Sequence, residues 1–162
     1  MANIEIFVSH GSDDAALASA LVDVIREAVA VDDQAIRCTS VAGYKLGAGA
    51  KISEQLREEL VGARAVLGIV TKSSIKSSYV LFELGAAWGA QVETFPLLAR
   101  GATAADLPGP LKERNARNLA DATEISQLIT DLELIAGYAP RSSNSARQTR
   151  LNEALRAAAA LP

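Results

Sequence analysis

Few residues in this sequence have the chemistry to act on a ligand. There is a single histidine, His10, and a single cysteine, Cys38. One of each can build neither an internal disulfide nor a usual structural zinc site, so no metal is expected. Cys38 lies in the apolar run Ala35-Ile36-Arg37-Cys38-Thr39, and free cysteine is among the most buried residue types, so a buried strand position is expected. The more suggestive pairing is Tyr79 with Glu83, in Ser77-Ser78-Tyr79-Val80-Leu81-Phe82-Glu83. A helix beginning near Ser77 or Ser78 puts these two one turn apart on the same face. An aromatic ring beside a carboxylate suits a cationic or sugar-bearing ligand, and the helix dipole should favour the ionised acid. The plainer alternative is a solvated helical glutamate, and spacing alone does not decide between them.

The elements that must position these residues alternate. Ile4 to Val8 is a short β-rich run, broken by Ser9-His10-Gly11-Ser12. Ser12 is a good helix N-cap, and Asp13 and Asp14 place negative charge in the expected first turn. Leu17, Leu21, Val24, Ile25 and Val29 then recur at helical spacing. A second strand over Ala35 to Thr39 leads into a glycine-bearing loop, Ser40 to Gly49, and Ile52, Leu56 and Leu60 stripe the next helix. Ala65 to Val70 is continuously apolar, the pattern of a central parallel strand covered on both faces. Tyr79 to Ala90 reads as a helix whose Leu81, Leu84 and Trp88 face the core. Thr94 to Leu98 reads as a fourth strand, with Pro96 marking a bulge or an edge. A weak strand near Arg117 to Ala120 precedes a helix carrying Ile125, Leu128, Ile129, Leu132 and Leu134.

Alternating strands and helices imply a flavodoxin-like, doubly wound α/β fold: about five parallel strands with helices on both faces. The stretch from Gly137 to Arg147 has linker composition, and Gln148 to Ala160 reads as an Ala-rich helix. That helix either packs on the domain or opens a partner domain. In such a sheet ligands bind beyond the carboxyl ends of the strands, where the loops Ser9–Ser12, Thr39–Gly49 and Thr71–Ser78 converge. With 162 residues, 49% hydrophobic and 22% charged, the chain is an ordinary globular one. A net charge of −3 argues against a broad electrostatic grip on nucleic acid or anionic membrane. No apolar stretch is long enough to span a bilayer, and Ile4 to Val8 is too short for a signal core, so a cytoplasmic location is expected.

Three segments, in order, resemble Toll/interleukin-1 receptor (TIR) domains of the bacterial kind. Ile6-Phe7-Val8-Ser9-His10 with its acidic-capped helix is similar to their first strand and turn, and Leu60 through Thr71 to their third-strand region. Ser78-Tyr79-Val80-Leu81-Phe82-Glu83-Leu84 resembles the serine–aromatic–glutamate signature of the enzymatic branch. The resemblance covers about residues 3 to 135, giving a TIR domain over 1–136 and a linker with C-terminal helix over 137–162. It implies NAD+ as substrate rather than cofactor, cleaved at its nicotinamide–ribose bond, with Glu83 catalytic. Beside Ser78 and Tyr79 of the signature, Ser9, His10 and Gly11 at the end of the first strand would line the substrate pocket, Tyr44 of the second loop would stack on a substrate ring and Lys45 would meet a phosphate. The plainer alternatives are a structural turn for His10, a loop anchor for Tyr44 and a solvated Lys45. The resemblance further implies self-association with other TIR domains, as an oligomer or filament, through the Ser40–Gly49 loop. Two features depart from the pattern: Cys38-Thr39-Ser40 stands where many members carry an acid, and Tyr79 where many carry tryptophan. A non-enzymatic TIR scaffold and a nucleoside deoxyribosyltransferase-like N-glycosidase are the competing readings.

Overall fold

In a computed structural model, which describes residues 3–38, 50–141 and 144–161 (of 50–53 the backbone alone), every strand runs the same way. The strands are β1 (Ile6–Ser9), β2 (Ile36–Cys38), β3 (Ala65–Val70), β4 (Thr94–Leu98) and β5 (Arg117–Asn118). They form a five-stranded parallel sheet in the order β2-β1-β3-β4-β5. The helices are α1 (Ala15–Ala28), α2 (Ala50–Gly62), α3 (Ser78–Gly89), α4 (Ala122–Leu134) and α5 (Ser145–Ala160). This is the flavodoxin-like α/β fold that the alternating pattern calls for, with its switch of strand order between β1 and β3.

The period of two in each strand divides the core. Ile6 and Val8, with Leu67, Ile69 and Leu97, pack under α1, α4 and α5. Phe7, with Val66, Val70 and Leu98, packs under α2 and α3. All six residues of β3 are buried, as expected of a strand covered on both faces. Pro96 is tolerated for a local reason. Bonds from Val66 N to Glu93 O and from Ala99 N to Val70 O fix the odd-numbered residues of β4 as those facing β3. Pro96 therefore turns its nitrogen the other way, and β5 pairs only from Leu97 onward. No ladder donor is lost.

Several expectations need correction. Ser12 does not cap α1: Ser12–Asp14 is a 3-10 turn, α1 starts at Ala15, and Asp14 is buried. Its carboxylate serves tertiary partners instead of the helix dipole. Cys38 is half-buried, because β2 is the edge strand. On α3 only Leu84 of the expected stripe is buried; Leu81 and Trp88 are exposed, and Val80 and Ala87 take the inward positions. Leu134 also faces outward, at the end of α4. Gly137 to Arg141 is tied down rather than loose. Ala30 N donates to Ala139 O (2.9 Å) and Arg141 Nη2 to Val31 O (2.9 Å), and Tyr138 is buried beneath the Arg64 guanidinium. This strap leads into α5, whose Asn144 accepts from Ala146 N and Arg147 N and whose Leu155 and Ala159 enter the core. Among the described residues no helix is long and apolar enough to cross a membrane.

Candidate functional site

Helix α3 starts where Ser77 caps it, its hydroxyl accepting from Val80 N. Its height over the sheet is set by Gly68. A Cβ at Gly68 would stand 2.5 Å from Leu84 Cδ2, too close for any real side chain, so Leu84 occupies the space that glycine leaves. Gly68 is also the register partner of Ser9. Seating Leu84 on Gly68 therefore brings the preceding residue, Glu83, beside the last residue of β1. Ser9 Oγ donates to Glu83 Oε1 at 2.9 Å, at the end of β1 where the strand order reverses.

Glu83 is only 5% exposed. Burial pushes its carboxyl up to about 7, and the Ser9 hydrogen bond opposes that rise. The expected help from the helix dipole is overridden, since Glu83 lies past the first turn of α3, where that effect fades. Oε2 has no hydrogen-bond partner among the described residues, and neither has the buried hydroxyl of Tyr79. Tyr79 is pushed up to about 12 by burial and by the neighbouring Glu83. Unsatisfied buried polar atoms are costly, and two from one helix face mark a place built to receive donors.

That place is a cavity of about 900 Å³ between α2 and α3. Ser78, Tyr79, Phe82, Glu83 and Ala86 line its α3 side, and Leu56, Arg57, Leu60 and Val61 its α2 side. The volume lies near the top of the range of about 300–1,000 Å³ that holds drug- and cofactor-sized ligands. Its walls are mainly apolar, with one carboxylate and one guanidinium among the described lining residues.

The structure brings Ser9, Ser78, Tyr79 and Glu83 together, while His10 and Gly11 contact other residues. His10 is buried with its Nδ1 3.9 Å from Cys38 Sγ, and burial lowers its pKa against weaker upward pulls from Val8 and Asp14. Gly11 packs against Ser74 and Asp14. Tyr44 and Lys45 lie outside the described residues. Among the described residues no cluster of His, Cys, Asp and Glu is placed to hold a metal ion.

Beyond the carboxyl ends of β1, β3 and β4 the loops are fastened to each other. Asp14 Oδ2 accepts from Thr71 Oγ1 (2.7 Å), Asp13 accepts from Ser73 Oγ (2.9 Å), and Arg100 Nη1 donates to Asp14 Oδ1 (2.9 Å). Asp14, Arg57, Phe82 and Arg100 had no distinguishing sequence signal. Asp14 looks like a helix-start acid, Arg57 and Phe82 like ordinary helix residues, and Arg100 meets Asp14 only in the folded chain.

The model of the family described as TIR domain matches residues 6–129. The chain belongs to the TIR domain family. The matched span contains all five strands, α1 to α3 and most of α4, and ends before the strap and α5. No curated protein matches the chain. TIR domains serve signalling, include NAD+ hydrolases, and generally self-associate. In this TIR domain Ser78, Tyr79 and Glu83 all line one wall of the cavity.

Proposed function

We propose that this TIR domain, of the bacterial kind, is an NAD+ hydrolase with Glu83 as its catalytic residue. The supporting observation is the state of Glu83: one oxygen held by Ser9, the other unpaired, at the wall of a 900 Å³ cavity beside Tyr79. Nicotinamide is a good leaving group because it departs neutral from a pyridinium. The bond from ribose C1′ to the ring nitrogen breaks with both electrons going to nitrogen, leaving an oxocarbenium-like centre. A carboxylate in a poorly hydrated site stabilises that charge or holds the ribose hydroxyls. Water adds to C1′ and loses a proton, giving ADP-ribose; capture by a group of the same substrate gives a cyclic product. No acid is needed for the leaving group, which fits a wall with one carboxylate among its described residues. A bound pyridinium favours the ionised form of Glu83 and draws its pKa back down.

The proposed activity needs assembly. Helix α3 presents Leu81, Phe82 (77% exposed) and Trp88 (49% exposed) outward, and Phe82 also lines the cavity. A second copy laid on this face would bury apolar surface and shut water from the cavity mouth. Draining a central cofactor suits antiphage defence, where the activity is held off until copies gather. The same exposed face favours the second reading, a non-enzymatic scaffold recruiting other TIR domains.

The test is nicotinamide release from NAD+ at low and high protein concentration, with Glu83→Ala beside the wild type. Release that rises steeply with concentration and falls at least ~100-fold in the variant is expected. The wild-type kcat/KM should climb with pH through about 7, as Glu83 ionises. Equal release by Glu83→Ala would refute the assignment. Release from nucleosides but not from NAD+ would point to an N-glycosidase of the deoxyribosyltransferase type, and none at any concentration to the scaffold.

A further inference from the structure

The cavity has two walls of different chemistry. Glu83 stands on the α3 side, and across from it α2 contributes apolar residues and one charged residue, Arg57. Arg57 is the lone cation among the described lining residues. Its nearest acids do not engage it. Glu59 is taken by Arg37 through two bonds of 2.7 Å, with Gln55 Nε2 on Oε1 as well. Glu54 and Glu58 make no ion pair with it, so among the described residues Arg57 has no carboxylate partner. Although Arg57 is exposed, its guanidinium is not spent on any described carboxylate, and its planar fork matches phosphate oxygens two at a time.

The cavity thus offers a carboxylate on one wall and a guanidinium on the other. A ligand complementary to both carries a fixed cation and a phosphate in the same molecule. Oxidised nicotinamide dinucleotide does: the pyridinium end is positive, and the pyrophosphate that follows the ribose is negative. We propose that Arg57 binds the substrate's pyrophosphate and thereby selects phosphate-bearing pyridinium nucleotides over the phosphate-free riboside. This rests on the hydrolase reading but concerns a different residue, with a different signature. Glu83 acts on the reacting centre and should govern kcat. Arg57 acts on a group that does not react and should govern KM.

The experiment compares wild type, Arg57→Gln and Arg57→Lys on NAD+ and nicotinamide riboside, and measures binding of ADP-ribose by calorimetry. Arg57 is exposed, so neither substitution disturbs the core. For Arg57→Gln, KM for NAD+ should rise about tenfold or more while kcat changes far less. The riboside should suffer a much smaller loss, and Arg57→Lys, which keeps the charge without the fork, should recover part of the affinity. ADP-ribose binding should weaken in parallel. Equal losses on NAD+ and on the riboside, or an unchanged KM and ADP-ribose affinity, would overturn the assignment while leaving Glu83 in place. Arg57-dependent ADP-ribose binding without any nicotinamide release would keep the anchor and sink the hydrolase. A wild type that neither binds ADP-ribose nor releases nicotinamide would sink both.

Discussion

Glu83 is under two opposed influences, and their balance has a consequence for stability. Burial raises its pKa from 4.5 to about 7, while the Ser9 hydroxyl pulls the other way. Between those two values the folded chain binds a proton that the unfolded chain has released. Stability contributed by the neutral acid is therefore complete below about pH 4.5 and is lost as pH rises through about 7. The full swing is about 3 kcal/mol. Glu83→Gln is neutral at every pH and should not show it. The difference in unfolding free energy, variant minus wild type, should grow by up to about 3 kcal/mol between pH 4.5 and 8 in denaturant titrations. His10 titrates nearby with the opposite sign, since its pKa is lowered, but it is common to both proteins and cancels. A difference that stays flat with pH would mean that Glu83 is already solvated. Of this site, the sequence spacing showed that Tyr79 and Glu83 share a face. It did not show that the face is buried, because Ser9 lies 74 positions away and only the folded sheet brings it near.

Helix α3 shows why an apolar pattern can mislead. Val80, Leu81, Phe82, Leu84, Ala87 and Trp88 leave hardly any side of it polar. The stripe Leu81-Leu84-Trp88 and the stripe Val80-Glu83-Leu84-Ala87 are both helical in period, and the core accepts the second. The choice falls to the contact between Gly68 and Leu84, a shape match that no periodicity records. Strands β3 and β4 were legible to the residue, because buried parallel strands are runs of apolar side chains bounded by polar ones. Gly68→Ala tests the contact. Its new methyl would lie 2.5 Å from Leu84 Cδ2, so α3 must lift or Leu84 must leave its rotamer. Overpacking of this kind costs roughly 1–3 kcal/mol. Lifting α3 would also lengthen the Ser9–Glu83 bond, so nicotinamide release should fall together with stability. Gly68→Ala combined with Leu84→Val, which makes room, should recover both in part; a fully stable, fully active Gly68→Ala would show that α3 is not held by this contact.

At the scale of the whole molecule, the family's sheet is joined to an element that the family match does not reach. Helix α5 covers α1 and α4, and its last turn is fastened by Arg100, which follows β4 in a left-handed conformation (φ 52°). Arg100 N donates to Ala159 O at 2.7 Å and Nε to Ala158 O at 3.4 Å, while Nη1 reaches Asp13 O and Asp14 Oδ1, both at 2.9 Å. A cation at a helix C-terminus is favourable by itself. Here it also neutralises Asp14, which is 1% exposed and whose other oxygen holds Thr71. One side chain thus joins α5 to the turn after β1 and, through Thr71, to the loop that leads into α3. Arg100→Ala would remove all these side-chain bonds and leave a buried carboxylate without its counter-charge. Such losses cost about 3–5 kcal/mol, far more than a surface ion pair. The expected result in chemical denaturation is a loss of about 3 kcal/mol or more, accompanied by faster amide exchange in the last turns of α5. Adding Asp14→Asn to Arg100→Ala should cost less than the sum of the two, because the buried charge is then gone. A loss under about 1 kcal/mol, with α5 exchange unchanged, would reduce the contact to a surface ion pair and free α5 from the site loops.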